Sequence, residues 1–231
     1  MKVKILGAGT WGTALAYVLY KNNVDVSVWG RNKDKISKIN STNTHPNLKN
    51  FIIPRKISFS SKLPDLNSGI IILATSTNFI ENFIENLNNK SNYKIVIACK
   101  GFYKTSKSNY LLPSESITRL SKANIEYKNL CILTGPSHAE ELINEKATAI
   151  LAASTNIEFS KSIQKMFSNY FLRVYTLNKS NSNKIDKKHI IATEIGGAVK
   201  NIISIASGIR DGLELGDNAK AALVSRGMSE I

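Results

Sequence analysis

The sequence predicts an α/β fold, with a doubly wound, mostly parallel sheet followed by the beginning of an all-helical domain. Short apolar runs alternate with stretches of helical periodicity along most of the 231 residues, which is typical of a sheet with helices on both faces. A glycine-rich turn directly follows the first apolar run, and beyond His189 nothing has the pattern of a strand. We therefore predict a sheet domain at residues 1–183 and an incomplete helical domain at 184–231.

The predicted elements follow one another in a regular order. The continuous apolar runs at 70–74 and 94–98 are typical of buried parallel strands, and residues 78–88 between them have apolar side chains at helical spacing. The other strands are predicted at 3–6, 25–29, 57–59, 130–133, 149–153 and 171–176. The other helices are predicted at 13–20, 33–40, 114–123, 137–145, 157–168, 189–212 and 217–231. Residues 41–56 are predicted to be a polar loop and 178–184 a polar linker.

The first strand runs into G-A-G-T-W-G at residues 7–12, and a helix follows directly. Between a strand and a helix, each of the three glycines has its own structural role. Gly7 permits a tight turn, Gly9 lets the backbone approach a pyrophosphate, and Gly12 lets the helix pack close to the strand. The phosphates would then lie at the helix N-terminus, where free N–H groups and the helix dipole favour negative charge. The pattern predicts a Rossmann-like domain that binds NADP or NAD.

The composition excludes several other classes of protein. The chain has 42% hydrophobic residues, only two cysteines and no apolar run near the roughly 20 residues of a membrane span. These features argue against a disulfide framework, a metal site and a membrane span, and they predict a cytoplasmic protein. The net charge of +14 suits anionic ligands. Its lysines are dispersed rather than gathered in one stripe, so we interpret the charge as compositional and predict no nucleic-acid partner.

The second strand ends in W-G-R-N, which places Arg31 about 20 residues past the last glycine of the turn. An enzyme selective for NAD usually has an acidic residue there, to bind the ribose 2′-hydroxyl. A guanidinium can instead accept the 2′-phosphate of NADP. We therefore expect NADP to be preferred over NAD, the alternative being a solvated surface arginine.

Two further candidates follow buried strands, at the edge of the sheet where α/β proteins bind ligands. Lys100, in A-C-K-G, could reach a substrate oxygen or phosphate. In T-G-P-S-H-A-E-E, Ser137 is predicted to cap a helix, with Glu140 completing a capping box, so that the helix start offers N–H groups to an anion. His138 could be an acid or base, but we interpret a lone histidine beside a cap as structural or as a surface contact.

The first predicted helix of the second domain carries the last candidate. Thr193, Gly197, Lys200 and Ser204 fall on one stripe. Glycine within a helix costs about 1 kcal/mol relative to alanine, which indicates that something approaches this face closely. Lys200 on that face is a candidate acid or base. Two lysines in a partly desolvated site would lower the pKa of one of them toward the working range.

Taken in order and at their spacing, these motifs resemble the bacterial-type NAD(P)-dependent glycerol-3-phosphate dehydrogenases. The last blocks, E-I-G-G-A-V-K-N-I-I-S-I-A-S-G-I-R-D-G and G-D-N-A-K-A-A-L-V-S-R-G, are highly specific and separate the chain from other two-domain dehydrogenases. The resemblance implies cofactor contacts at Thr10, Trp11, Arg31, Phe79, Lys100 and Ala139, substrate contacts at Lys100, Gly135, Ser137 and Lys200, and Lys200 as the catalytic proton donor or acceptor. It also implies reversible reduction of dihydroxyacetone phosphate to sn-glycerol 3-phosphate, which feeds phospholipid synthesis.

The chain departs from the family pattern at its end. The family continues into a fuller helical domain with an aspartate and an Arg-Asn pair that bind substrate, and this chain stops at Ile231. We expect a truncated member that still binds cofactor but turns over weakly or not at all. The alternatives are a non-catalytic dinucleotide-binding fragment and another two-domain NAD(P)-dependent dehydrogenase. A homodimer stays open, because the sequence does not determine the oligomeric state.

Overall fold

The structure, a computed structural model, describes residues 2–88, 92–105, 108–177 and 185–230. Within these residues the main sheet has eight strands, which are β1 Val3–Leu6, β2 Val26–Trp29, β5 Ser58–Ser60, β6 Ile70–Leu73, β7 Lys94–Ile97, β10 Leu130–Thr134, β11 Thr148–Ala153 and β12 Leu172–Thr176. Their order across the sheet is β12-β11-β10-β7-β6-β1-β2-β5. β10 and β11 pair antiparallel, and the other neighbours in this sheet pair parallel. The predicted α/β fold with a mostly parallel sheet is confirmed.

Helices cover both faces of this sheet, as the alternating pattern predicts. They are α1 Thr10–Lys21, α2 Lys33–Thr42, α3 Ile80–Glu85, α4 Pro113–Leu120, α5 Ala139–Ile143, α6 Ile157–Phe167, α7 Lys187–Gly212 and α8 Gly216–Glu230. Buried side chains of α1, α2, α5 and α6 pack in one layer, and those of α3, α4 and the start of α7 pack in the other. The central strands are buried on both faces, because helices cover them on either side.

The polar loop predicted at 41–56 is wrong, because this segment forms a hairpin of β3 Thr44–His45 and β4 Leu48–Ile52. A second small hairpin, β8 Tyr103–Lys104 with β9 Tyr110–Leu111, was also not predicted. Strands this short have too few alternating positions to stand out in a sequence. The linker predicted at 178–184 lies outside the described residues.

The two C-terminal helices, α7 and α8, leave much apolar surface exposed. The exposed side chains include Ile202, Ile205 and Ile209 of α7, Val224 and Met228 of α8, and Leu213 and Leu215 between the two helices. Within the described residues α7 is the one helix long and apolar enough to cross a membrane, with a mean hydropathy of 1.3. Core helices of water-soluble proteins can be equally long and apolar. The first half of α7 packs on β10 and β11.

Candidate active site

The glycine turn between β1 and α1 has no room for a side chain at two of its positions, Gly7 and Gly12. Gly7 has φ +130°, and a Cβ there would lie 2.4 Å from the Ala74 carbonyl oxygen. A Cβ on Gly12 would lie 1.9 Å from the Gly7 carbonyl oxygen and 3.3 Å from Ile5 in β1. Both contacts are far inside van der Waals distance. The tight turn predicted at Gly7 and the close helix packing predicted at Gly12 are therefore confirmed.

Gly9 differs from its neighbours because nothing lies within 4 Å of the position of its Cβ. It is the N-cap of α1, and no side chain caps that helix end. The N–H groups of the first turn of a helix have no partner within the helix, so they are available to an anionic ligand. The open backbone at Gly9 and the uncapped helix end fit a dinucleotide pyrophosphate.

A cleft of ≈ 730 Å³ opens in front of this turn, at the carboxyl ends of β1, β2 and β6. Gly7, Ala8 and Gly9 of the turn line it, and so does Arg31. The rings of Trp29 and Phe79 pack together with centroids 4.9 Å apart, and both line the cleft. Among the ion pairs of the described residues none involves Arg31, so its guanidinium is available to a ligand.

A second cleft, of ≈ 340 Å³, continues along the same edge of the sheet. The predicted site residues that line it are Thr10, Trp11, Lys100, Ser137, His138 and Ala139. Ala74 and Thr75 line both clefts. Sequence reasoning missed these two residues, although they directly follow the buried strand β6 at the ligand-binding edge.

Lys100 lines the second cleft and is held there by two contacts. Its Nζ donates a hydrogen bond to the Gly135 carbonyl oxygen at 3.3 Å, and it lies 5.8 Å from the centroid of the Trp11 ring. The Trp11 Nε1 donates to the Ala98 carbonyl oxygen at 3.1 Å, which fixes the ring. Burial, and then the positive charge of the adjacent Lys200, lower the pKa of Lys100 to about 8. The two lysines thus lie together, and it is the pKa of Lys100 that their proximity and burial lower.

Lys200 reaches this position because α7 docks closely on the sheet. A Cβ on Gly197 would lie 2.4 Å from Thr134 Oγ1 at the end of β10, so glycine lets the helix approach without displacing Thr134, as the sequence indicated. The Thr134 hydroxyl is buried and has no hydrogen-bond partner among the described residues. The close approach places Lys200, one turn further along α7, beside Lys100.

Glu194 is a second anchor of α7, and sequence reasoning missed it. Its carboxylate is buried and accepts hydrogen bonds from the N–H and the hydroxyl of Ser114, at the start of α4. Burial raises the pKa of Glu194 to about 7. The signal was present in the sequence, because Ile190, Glu194 and Gly197 share one face of the helix and are its buried residues.

The capping box predicted at Ser137 and Glu140 is wrong. Helix α5 begins at Ala139, its N-cap is His138, and no side chain caps it. Gly135 has φ +154° and packs against Ile150 of β11, so the chain leaves β10 in a turn that brings Ser137 back over Gly135. The Ser137 hydroxyl therefore donates to the Gly135 carbonyl oxygen at 3.3 Å. His138 is exposed at the rim of the second cleft.

The Lys100 ammonium is expected to reduce the stability of the folded protein. We predict that Lys100→Met raises the midpoint of thermal unfolding at pH 7 by roughly 2–4 °C, or about 1 kcal/mol after allowance for solvent screening. The folded pKa of about 8 lies below the ordinary 10.5, so wild type recovers this stability as the pH rises from 8 to 10.5. Thermal unfolding of both proteins at pH 7 and pH 10 measures the difference. A less stable Lys100→Met at pH 7 would contradict the prediction.

Two sequence models match the chain. The NAD-dependent glycerol-3-phosphate dehydrogenase N-terminus matches residues 2–160, and the corresponding C-terminus model matches 189–231. The chain belongs to the NAD-dependent glycerol-3-phosphate dehydrogenase family. Among curated members, glycerol-3-phosphate dehydrogenase (NAD(P)+) of Oceanobacillus iheyensis is 37% identical, and the alignment covers 100% of this chain and 64% of that protein. The chain thus spans less than two thirds of the length of this relative.

Solved structures of the family have the same fold. Glycerol-3-phosphate dehydrogenase from Coxiella burnetii aligns with a TM-score of 0.81 and 30% identity, over 99% of this chain and 66% of that one. A UDP-D-ManNAc dehydrogenase from Pyrococcus horikoshii aligns over 77% of this chain and 47% of that one, with a TM-score of 0.57 and 15% identity. At that identity the likeness concerns the fold alone. The predicted family and fold are therefore confirmed.

Proposed function

We propose that this chain binds NADP or NAD along the two clefts, with the pyrophosphate at the N-terminus of α1. Gly7, Gly9 and Gly12 would form the turn under it, and Thr10 and Trp11 would lie beside it. Arg31 and Phe79 would contact the adenosine end, since both line the larger cleft. Lys100 and Ala139 would lie near the nicotinamide, since both line the smaller one. The names of the family and of its curated members, which specify NAD or NAD(P)+, support this choice of cofactor.

We propose further that the site serves the reversible reduction of dihydroxyacetone phosphate to sn-glycerol 3-phosphate. The bound cofactor would supply the hydride. As the ketone oxygen gains negative charge, Lys200 would donate a proton to it, and the Lys100 cation would hold the oxyanion or the phosphate. Gly135 and Ser137 would contact the substrate phosphate. The single observation that carries this proposal is that Lys200 of α7 lies beside Lys100, which lines the smaller cleft.

The experiment is NADPH oxidation in the presence of dihydroxyacetone phosphate. It should be run on this chain and on a chimera that adds the last part of the Oceanobacillus relative, beyond the aligned region. We expect NADPH binding by both proteins, and turnover that is weak or absent in the chain and substantial in the chimera. Turnover at family-like rates by the chain alone would contradict the expected weakness. Binding with no turnover in either protein would favour a non-catalytic fragment or a dehydrogenase for another carbonyl substrate.

Arg31 provides a test of cofactor choice. We predict that Arg31→Asp weakens NADPH binding by roughly 10-fold or more while changing NADH binding much less, because the guanidinium would meet only the 2′-phosphate of NADPH. Fluorescence titration of wild type and variant with both cofactors gives the ratio of the two dissociation constants. Arg55→Asp, a charge change at another arginine on the surface, is the matched control. A ratio that Arg31→Asp leaves unchanged would exclude the assignment.

The remaining parts of the proposal concern organisation and context. We place the domain boundary at residues 183/184, between a dinucleotide-binding domain and a helical domain that completes the substrate site. The exposed apolar side chains of α7 and α8 are consistent with a homodimer or with further covering protein. We propose a cytoplasmic enzyme that supplies phospholipid synthesis, acts on small molecules and has no nucleic-acid partner, no bound metal and no membrane span.

A further inference from the structure

His45 lies outside every motif that led to the proposed function, yet it contacts the glycine turn. It is in β3 of the unpredicted hairpin and is 3% exposed. Its Nε2 lies 3.2 Å from the carbonyl oxygen of Ala8, the residue between Gly7 and Gly9. Its other ring nitrogen, Nδ1, accepts a hydrogen bond from the Asn47 backbone N–H at 3.1 Å. Both ring nitrogens are therefore occupied by the backbone.

These two contacts determine which nitrogen of the His45 ring carries the proton. A backbone N–H can only donate, so Nδ1 must be the unprotonated acceptor. The proton of the neutral ring is then on Nε2, which donates it to the Ala8 carbonyl. Burial, and then the nearby Lys35 charge, lower the pKa of His45, which keeps the ring in this neutral form. The ring is thus a rigid donor aimed at one peptide group of the turn.

The opposite side of the Ala8–Gly9 peptide, which carries the Gly9 N–H, faces the cleft. No peptide bond of the described residues is cis, and in a planar trans peptide the C=O and the N–H point in opposite directions. With the Ala8 carbonyl directed to the buried His45, the N–H of Gly9 is directed away from it. The described hydrogen bonds include none donated by the Gly9 N–H, and Gly9 lines the larger cleft. An unpartnered donor at this place is suited to an anion.

We infer that His45 is a positioning residue for the dinucleotide pyrophosphate. By holding the Ala8 carbonyl it fixes the Ala8–Gly9 peptide in the orientation that presents the Gly9 N–H to the phosphates. The inference rests on the proposed function, because it presupposes a dinucleotide in this cleft. His45 acts through the backbone and does not itself touch the cofactor. Its loss should weaken NADPH and NADH equally, since both carry the same pyrophosphate, whereas Arg31→Asp should separate the two.

Two substitutions each keep one of the two His45 hydrogen bonds and remove the other. His45→Asn places an amide near the position of Nδ1, so it can accept from Asn47 but cannot reach Ala8. His45→Gln reaches Ala8 with its amide N–H₂ but gives up the acceptor for Asn47. We expect the Asn variant to bind NADPH roughly 5- to 10-fold more weakly, the value of one lost hydrogen bond, and the Gln variant to stay within about threefold of wild type. His189→Asn, at the exposed start of α7, is the control.

Fluorescence titration with NADPH and NADH, with thermal unfolding of each protein, tests the inference. The expected result is that cofactor affinity depends on the hydrogen bond to Ala8. The Gln variant, which keeps that bond, should bind like wild type whatever its unfolding temperature. If affinity instead follows unfolding temperature across the variants, or if the Asn variant binds like wild type, the positioning role is refuted. If the Asn variant does not fold, a folded Gln variant that binds more than 10-fold weaker refutes it. Failure of wild type to bind either cofactor refutes the proposed site itself, and this role with it.

Discussion

Lys200→Met is expected to lower the rate of NADPH oxidation with dihydroxyacetone phosphate by about 10²- to 10⁴-fold, the usual contribution of a general acid. The variant loses the proton donor and keeps an apolar side chain of similar length. It leaves the glycine turn and both clefts lined as before, so NADPH should bind within about threefold of wild type. The rate should be measured in the chimera described above and, with a larger amount of enzyme, in the chain itself.

Lys220→Met is the matched control for this substitution, since Lys220 is an exposed lysine of α8. It should leave the rate unchanged, which shows that the loss is specific to Lys200. Full activity of the Lys200→Met protein would contradict the assignment of the proton donor. If Lys100→Met abolished turnover while Lys200→Met kept it, the acid would be Lys100, whose pKa of about 8 suits proton transfer.

Alanine at Gly9 and alanine at Gly12 are expected to have opposite effects. At Gly12 the new Cβ would lie 1.9 Å from the Gly7 carbonyl oxygen, and the turn must distort to admit it. We expect a loss of about 3–5 kcal/mol of stability, which corresponds to roughly 10 °C or more in the unfolding midpoint. At Gly9 the Cβ meets nothing in the protein, so the midpoint should change by no more than about 2 °C.

Gly9→Ala, which should hardly change the stability, should instead weaken cofactor binding. The Cβ of Gly9→Ala would occupy the space through which the backbone is proposed to approach the pyrophosphate, so a folded Gly9→Ala protein should bind NADPH at least about 10-fold more weakly. Gly208→Ala, where a Cβ also meets nothing, is the control, in a helix remote from the turn. Unchanged NADPH affinity in Gly9→Ala would place the pyrophosphate elsewhere. A fully stable Gly12→Ala would contradict the close packing of α1 on β1.

Much of the fold could be predicted because its signals are local and repeated. The strands at 70–73 and 94–97 are continuous apolar runs, and the turn at 7–12 has glycine at each position where the backbone needs it. The errors occurred where local signals compete with tertiary contacts. Ser137 is an ordinary capping residue in sequence, but the packing of Gly135 against β11 moves the helix start to Ala139. The short strands of the hairpin at 44–52 form because they pair, and no periodicity marks them beforehand.

The sequence by itself determined the α/β class, the glycine turn and the family, because these depend on residue type and spacing, and on the same basis it predicted the residues proposed to carry the chemistry. Only the tertiary structure decided which of those residues meet. Lys100 and Lys200 are 100 positions apart in the chain, and they are brought together because Gly197 lets α7 approach Thr134. The structure likewise brought His45 to the Ala8 carbonyl. Contacts of that kind arise from the packing of whole elements, which no short stretch of sequence encodes.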